Sequence, residues 1–314
     1  MKIKRNILVC LYLALSVILS LTSCQNKEPE ILDYYQEIPE LTQSQLVYDM
    51  VIDSKGYKWC ASSAGLLKFD GYKVTKYTKS DGLASDTLWC LAIDTNNVIW
   101  SINHNDKITR FDGNNFTTKN IYDPQAIMVD KKNTLWVAYH LGLMCFDGVK
   151  WTNYETNYAN SNAWAKALFE GQDNNLLLIT ENNGLLEFKN GSFTKIESIN
   201  SLPSWKINSI AYDKTSKITY YATNGNGLMV YNQGVYSYIN LGKNIEDNIV
   251  HTLKVDKKGQ VWMGTETGFC LYNTKLMYYK PPKLPAAPIK NFVLDIESNP
   301  WIVCYSIVFK LIQH

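Results

Sequence analysis

Hydrophobic and polar positions recur along this chain in a fixed order. In each copy a short apolar run ends at an acidic residue, and a large apolar residue follows six or seven positions later. A Gly-Leu pair usually comes next, and an aromatic residue followed by a turn comes after it in most copies. The large apolar residues, here called the marks, are Trp59, Trp100, Trp136, Leu177, Tyr220, Trp262 and Trp301. They are spaced by 41, 36, 41, 43, 42 and 39 residues, so the chain contains seven repeats.

Each repeat predicts four short strands. The first strand ends at the acid, the second carries the mark, the third follows Gly-Leu, and the fourth follows the turn. Asp-Gly, as in Asp70-Gly71, is a strong hairpin signal because both turn positions tolerate positive φ. Four strands at a period of about 40 residues are typical of a propeller blade. We therefore predict an all-β, seven-bladed β-propeller with four-stranded antiparallel blades.

The two ends of the chain complement each other. The seventh repeat supplies only three strands, whereas residues 31–38 (ILDYYQEI) read as a strand that precedes the first repeat. We expect this N-terminal strand to pair with the last blade and to close the ring. Closure would remove an exposed sheet edge that could otherwise template aggregation. The predicted propeller domain spans residues 31–314.

The recurring residues suit structural roles. We expect the marks to pack between neighbouring sheets. We expect the acids to cap the turns that follow them by accepting hydrogen bonds from backbone N–H groups. These acids are Asp53, Asp94, Asp130, Glu170, Asp213, Asp256 and Asp295.

The N-terminus resembles a secretory signal. Lys2, Lys4 and Arg5 precede an apolar run over residues 7–19, which is too short and too early for a spanning helix. One interpretation of this segment is an ordinary secretory signal, in which the cysteine that follows, Cys24, is incidental.

Leu21-Thr22-Ser23-Cys24 resembles a bacterial lipobox. The resemblance implies a lipoprotein signal peptide over residues 1–23, lipidation of Cys24, and a polar tether over residues 24–30. It also implies membrane attachment through the lipid, in the outer membrane, on either the periplasmic or the cell-surface side.

Composition excludes some classes of function. The chain is 46% hydrophobic and 19% charged, which favours a packed core over disorder. Its net charge is +2, and −1 (28 basic against 29 acidic residues) without Lys2, Lys4 and Arg5, so no nucleic-acid partner is indicated. The five cysteines beyond Cys24 form no CxxC motif. We expect free thiols, no metal site and no cofactor.

One repeat resembles a known family closely. Val261-Trp262-Met263-Gly264-Thr265 followed by Gly268 is similar to the two-component regulator propeller repeat, as are the inter-blade segments 81–86 and 201–204. The resemblance implies kinship with propellers of Bacteroidetes hybrid histidine kinases, which are linked to sensing polysaccharide fragments. This sequence contains no kinase or DNA-binding module, so we expect the binding scaffold alone to carry over.

The mouth of the central channel is the predicted ligand site. Ligands of propellers bind at the channel end formed by the loops between strands two and three and by the connections between blades. Trp89, Trp164 and Trp205 do not occupy the mark position, and flat aromatic faces beside amides suit a sugar. The alternative is that they pack at strand starts. The full candidate set is Trp89, His104, Tyr139, His140, Trp164, Trp205 and His251.

Two classes of function remain open. The first is a non-catalytic, monomeric, sensor-like binding protein whose partner is an oligosaccharide or an outer-membrane protein. The second is a lyase or hydrolase-like enzyme, with or without a metal, that uses His104, His140 and nearby acids, as streptogramin lyases use a propeller with a His and a metal. No Ser-His-Asp spacing, phosphate loop or HExxH motif occurs, so we predict no catalytic residues.

Overall fold

Seven four-stranded antiparallel sheets form the molecule, as predicted. The computed structural model describes residues 35–43, 45–103, 106–155, 165–171, 175–180, 184–199, 201–203, 206–279, 288–304 and 307–312. Blade 1 comprises β2 (Val47–Ile52), β3 (Lys58–Ser62), β4 (Gly65–Phe69) and β5 (Val74–Tyr77). Blade 2 comprises β6 (Leu88–Ile93), β7 (Ile99–Asn103), β8 (Lys107–Phe111) and β9 (Phe116–Asn120). Blade 3 comprises β10 (Pro124–Val129), β11 (Leu135–Tyr139), β12 (Gly142–Phe146) and β13 (Trp151–Glu155).

The remaining blades continue the same order. Blade 4 comprises β14 (Ala165–Glu170), β15 (Leu176–Thr180), β16 (Gly184–Lys189) and β17 (Ser192–Ile196). Blade 5 comprises β20 (Ile207–Asp213), β21 (Ile218–Thr223), β22 (Leu228–Asn232) and β23 (Val235–Ile239). Blade 6 comprises β24 (Val250–Val255), β25 (Val261–Thr265), β26 (Phe269–Asn273) and β27 (Lys275–Tyr279). A small hairpin, β18 (Ser198–Ile199) with β19 (Leu202–Pro203), lies between blades 4 and 5.

The seventh blade joins the two ends of the chain. It contains β28 (Asn291–Leu294), β29 (Pro300–Cys304) and β30 (Ile307–Leu311), and β1 (Tyr35–Glu37) pairs with β30 as its outer strand. The predicted closure is thereby confirmed for residues 35–37. A one-turn helix, α1 (Pro39–Thr42), follows β1 and buries Leu41 completely. The first strands of successive blades contact one another around a closed ring.

Seven apolar clusters fill the seven interfaces between blades. The cluster between blades 7 and 1, for example, contains Met50, Leu67 and Trp301 together with Ile38 and Leu41. Corresponding clusters occupy the other six interfaces. Because each sheet is buried on both flanks, no blade has a complete core of its own. The marks pack between sheets, as predicted.

An acid and the mark of the same blade form a repeated hydrogen-bonded unit, here called the Asp–Trp clasp. In blade 1, Asp53 Oδ1 accepts the N–H groups of Lys55 and Tyr57, both at 2.9 Å. Asp53 Oδ2 accepts Trp59 Nε1–H at 2.9 Å. Blades 3, 6 and 7 repeat the clasp with Asp130, Asp256 and Asp295. The predicted turn caps are thus confirmed for these four acids, and each of them also orients the indole of its blade.

The other three blades vary this arrangement. In blade 2 Trp100 Nε1 has no hydrogen-bond partner within the described ranges, and its ring instead lies edge-on to Phe146. In blade 4, where the mark is Leu177, Glu170 pairs with Lys131 of the preceding blade at 3.1 Å. In blade 5 the mark is Tyr220, which has no indole. Among the described residues the clasp thus occurs in four blades, and blade 2 lacks it although it has both Asp94 and Trp100.

The cysteines fit the apolar interior. Cys60, Cys90, Cys145 and Cys304 are free thiols, as predicted. Among the residues that the structure describes, no helix is both long and apolar enough to cross a membrane.

Candidate functional site

Seven residues occupy equivalent positions at the start of the first strands of the seven blades. In blades 1 to 6 the register of the first strand against the second shifts between the first and third residues, so the second residue lies at a β-bulge. Such a bulge re-aims the side chain it carries. The seven residues, with the equivalent one preceding β28, form what we call the bulge ring: Tyr48, Trp89, Gln125, Lys166, Asn208, His251 and Lys290.

The bulge ring shares its end of the molecule with the predicted loops. Each first strand begins opposite the end of the second strand, as Val47 pairs with Ser62 in blade 1. The loops between strands two and three and the connections between blades therefore surround the bulge ring. We call this end the mouth, and the end that carries the Asp–Trp clasps the opposite face.

A cavity of 520 Å³ opens at the mouth. Its walls come from blades 1, 2, 3, 4 and 7, and they combine apolar, amide, acidic and basic side chains. The lining residues are Val47, Tyr48, Trp89, Cys90, Ile102, Asn103, Asp106, Asp123, Pro124, Gln125, Ala165, Lys166, Pro288, Lys290, Asn291, Val303 and Cys304.

Two aromatic rings form one wall of the cavity. Tyr48 and Trp89 stack with their ring centroids 4.5 Å apart and an interplanar angle of 29°. They lie at equivalent positions of adjacent blades, and both remain partly exposed. Because strands of two packed sheets hold them, the pair forms a rigid aromatic platform in a cavity that also contains polar side chains.

A second wall is a pre-ordered network of polar groups. Asp106 Oδ1 accepts the N–H of Asp123 at 2.8 Å, and Asp123 Oδ2 accepts Gln125 Nε2–H at 3.1 Å. Gln125 Oε1 in turn accepts the N–H of Ala165 in the next blade. Asp106 and Asp123 have φ of 54° and 51°, conformations that Asp tolerates better than most residues. These bonds fix the carboxylates while leaving acceptor lone pairs for a ligand.

Basic groups lie on the remaining walls. Lys166 belongs to blade 4 and Lys290 to blade 7, and both are exposed. The two acids, by contrast, belong to blade 2 and to its connection with blade 3. The cavity therefore offers both signs of charge on different walls and no net excess of either.

Beneath the cavity, Asp49 ties three blades together. Its Oδ1 accepts Asn291 Nδ2–H at 2.6 Å and its Oδ2 accepts the N–H of Leu91 at 2.7 Å, which links blade 1 to blades 7 and 2. Burial raises the pKa of Asp49, although these hydrogen bonds oppose the shift. Burial, together with the Asp49 charge, also raises the pKa of Cys90 to about 12, so this cavity-lining thiol is un-ionised at neutral pH.

The structure places the predicted site residues in different environments. Trp89 lines the cavity. Tyr139, the last residue of β11, is buried in the apolar cluster between blades 2 and 3 and does not line the cavity. His140 lies on the rim, with its Nδ1 3.4 Å from the carbonyl oxygen of Tyr122. His251 Nε2 is 2.6 Å from Glu266 Oε2, outside the cavity lining. His104, Trp164, Trp205 and Cys24 lie outside the described residues.

The sequence reasoning missed Tyr48 and Lys166. A strict alternation of inward and outward positions cannot find them, because the bulge breaks the alternation. A usable signal was nevertheless present: the bulge-ring residue stands eleven positions before the mark in six blades and twelve positions before it in blade 5.

A metal would need a cluster of ligating side chains. Within the described ranges, no three His, Cys, Asp or Glu side chains are close enough together to hold a metal ion. Among the described residues, His251 pairs with a single acid, Glu266.

Comparisons with known proteins agree with the fold. The model of the two component regulator propeller family matches residues 244–267, which confirms the resemblance of that repeat. No curated protein matches the chain in sequence.

Solved structures match the whole ring. The extracellular domain assigned to a hybrid two component system from B. thetaiotaomicron is 22% identical with a TM-score of 0.71; the match covers 90% of this chain and 40% of that one. A catalytically inactive virginiamycin B lyase from Staphylococcus aureus, with quinupristin, is 17% identical with a TM-score of 0.74, covering 90% and 99%. YCF48 bound to D1 peptide is 12% identical with a TM-score of 0.70, covering 91% and 98%.

These likenesses establish the fold, which is shared by proteins of different activity. This chain spans 40% of the length of the B. thetaiotaomicron domain that it matches. It is a seven-bladed β-propeller that carries a two component regulator propeller repeat at residues 244–267.

Proposed function

We propose that this protein is a lipid-anchored, extracytoplasmic propeller that binds an oligosaccharide in the cavity at the mouth, without catalysis. The observation that carries the proposal is the stacked Tyr48–Trp89 pair in a cavity that also presents amide, acidic and basic side chains. The cavity volume of 520 Å³ falls in the range of about 300–1,000 Å³ that is usual for ligand sites.

The chemistry of a sugar matches these walls. A pyranose ring presents apolar C–H faces, which an aromatic platform can cover, and hydroxyl edges. Each hydroxyl can donate one hydrogen bond and accept others. The carboxylates of Asp106 and Asp123 accept such bonds, and the ammonium groups of Lys166 and Lys290 donate them. Acidic and basic side chains around one aromatic platform therefore suit a ligand that is apolar on its faces and polar at its edges.

The proposed location follows from the N-terminus. The lipobox-like segment before Cys24 supports export and anchoring, and the likeness in fold to an extracellular domain is compatible with that location. A Cys24→Ser variant should no longer incorporate radiolabelled palmitate and should leave the membrane fraction. Palmitate incorporation equal to that of the wild type would contradict the proposed anchor.

Binding is tested with the full-length protein in detergent on a broad glycan panel, followed by calorimetry. We expect a Tyr48→Ala or Trp89→Ala variant to lose most of the affinity for the glycan that binds. Tyr72→Ala is the matched control, because Tyr72 is a tyrosine that is 92% exposed in a turn of the opposite face. Equal binding by wild type, Trp89→Ala and Tyr72→Ala, or no binding across the panel, would reject the proposal.

A second candidate function is catalysis. The observation that favours it is the short His251–Glu266 hydrogen bond, since a carboxylate that orients a His is a common arrangement of a general base. If the bound glycan, or another panel compound, is turned over by the wild type and not by His251→Ala, the protein is an enzyme. Unchanged ligand after prolonged incubation supports the binding function.

A further inference from the structure

An exposed aromatic cluster lies on the rim of the mouth, next to the cavity. Tyr122 is 66% exposed, which is unusual for a large aromatic side chain. Its ring lies edge-on to His140 with the centroids 4.6 Å apart and the planes at 82°. His140 in turn lies edge-on to buried Tyr139 at 5.7 Å and 78°. Three rings thus lead from the core of blade 3 to the surface.

The backbone on both sides of Tyr122 is fixed. The N–H of Ile121 donates to the carbonyl oxygen of Asp106 at 2.9 Å, and the N–H of Asp123 donates to Asp106 Oδ1 at 2.8 Å. His140 Nδ1 meets the carbonyl oxygen of Tyr122 at 3.4 Å. The exposed ring is therefore presented by an ordered loop. A pre-ordered aromatic side chain gives contact area at a low entropic cost.

The rim cluster is continuous with the cavity wall. Tyr122 directly precedes Asp123, which lines the cavity and binds Gln125 of the bulge ring. Because successive Cα atoms are about 3.8 Å apart, the exposed ring begins where the cavity wall ends. A ligand unit on the Tyr48–Trp89 platform and a unit on the rim would thus belong to one chain that crosses the wall of Asp106 and Asp123.

We propose that Tyr122 and His140 form a second, outer subsite for the same oligosaccharide. The inference rests on the proposed function and sharpens it: the ligand is a chain of several sugars, with one unit in the cavity and a later unit on the rim. The Tyr122 ring would cover the C–H face of the outer unit, and the free edge of the His140 ring would meet its hydroxyl groups.

A length series tests this subsite. The probes are homologous series, from monosaccharide to hexasaccharide, of β-1,4-glucan, α-1,4-glucan, β-1,4-xylan and β-2,6-fructan, measured by calorimetry on the full-length protein in detergent. The affinity of the wild type should rise with length and then level off. Tyr122→Ala should lose that rise, and so bind the longest member about three- to tenfold more weakly than the wild type, the scale of one aromatic contact.

Two controls keep the result interpretable. Tyr72→Ala, on the opposite face, should keep the full rise with length. Tyr122→Phe retains the aromatic ring, so it should bind the longest member nearly as tightly as the wild type does. A Tyr122→Ala variant that follows the wild-type length dependence overturns the outer subsite alone. If no series binds the wild type, or if Trp89→Ala binds the glycans as tightly as the wild type does, the proposed function is rejected as well.

Discussion

The two ends of the blades are built from the same repeats yet differ in kind. On the opposite face, four blades repeat one Asp–Trp clasp with nearly the same distances. At the mouth, the seven equivalent positions of the bulge ring carry six different residue types, and only Lys occurs twice. Because every blade must fold against its neighbours, residues that serve folding recur. Residues that bind one shared ligand would need no such recurrence, and this difference between the ends is what the proposed binding site would require.

The hydrogen bonding of the two ends explains this contrast. Each clasp satisfies a buried indole N–H and two turn N–H groups with a single carboxylate, and an unsatisfied buried group would cost about 1–3 kcal/mol. The cavity residues of the bulge ring lie in partly exposed positions, where water can satisfy a polar group and substitution is less costly.

The largest expected effect concerns ring closure. Removing residues 1–41 should cost more than about 4 kcal/mol of unfolding free energy, because Ile38 and Leu41 leave a core and β30 becomes an exposed edge. Chemical denaturation followed by circular dichroism measures the loss. Removal of residues 1–30 is the control and should leave the midpoint unchanged. A stable, monomeric protein without residues 1–41 would show that closure does not depend on β1.

The next effect separates the two ends directly. Trp262→Ala should cost about 3–5 kcal/mol, because Trp262 is fully buried against Phe269 and Tyr279. Tyr48→Ala at the mouth should cost about 0.5–1.5 kcal/mol, the worth of one aromatic pair. Denaturation midpoints of the two variants give the comparison. Similar losses would mean that the mouth is as structural as the opposite face.

Two glycines with positive φ provide a matched pair. Gly65 (φ 121°) begins β4 at the mouth, and an added Cβ would lie 2.2 Å from the carbonyl oxygen of Tyr77. Gly71 (φ 106°) lies in a turn of the opposite face with no atom within 4 Å of an added Cβ. Gly65→Ala should therefore cost about 2–3 kcal/mol and Gly71→Ala about 1 kcal/mol. Equal losses in thermal unfolding would assign the cost to backbone strain alone.

The smallest effect is the pH dependence of one clasp. Burial acts to raise the pKa of Asp295, but hydrogen bonds from the N–H of Asn299, from Trp301 and from Lys310 outweigh it and leave the pKa lowered. A lowered folded-state pKa stabilises the fold above the ordinary Asp pKa, about 4, and this stabilisation is lost as the pH falls through the folded-state value.

Asp295→Asn should therefore be less stable than the wild type at pH 7, by about 1.5 kcal/mol, and the difference should vanish in acid. Denaturation curves at several pH values measure it. Glu246→Gln, at an exposed acid on the mouth side, is the control and should match the wild type throughout. A difference for Asp295→Asn that does not change with pH would contradict the role of its charge.

The sequence predicted the fold well because the fold depends on repetition. The blade count, the strand order and the closing strand all follow from the spacing of the marks. The clasp was foreseen only as a turn cap, since the indole bond to Asp53 needs three-dimensional geometry. At the mouth, Trp89 was identified because it differs from the repeat, whereas Tyr48 resembles any strand residue until the bulge turns it into the cavity. Tyr139, expected at the mouth, is buried because it packs in the apolar cluster between blades 2 and 3.

The most direct test of the proposed site is a crystal structure of the protein with the oligosaccharide that binds most tightly in the panel. We predict electron density for one sugar unit against the Tyr48–Trp89 platform and for a later unit beside Tyr122. Density on the opposite face, or between blades with the mouth unoccupied, would contradict it.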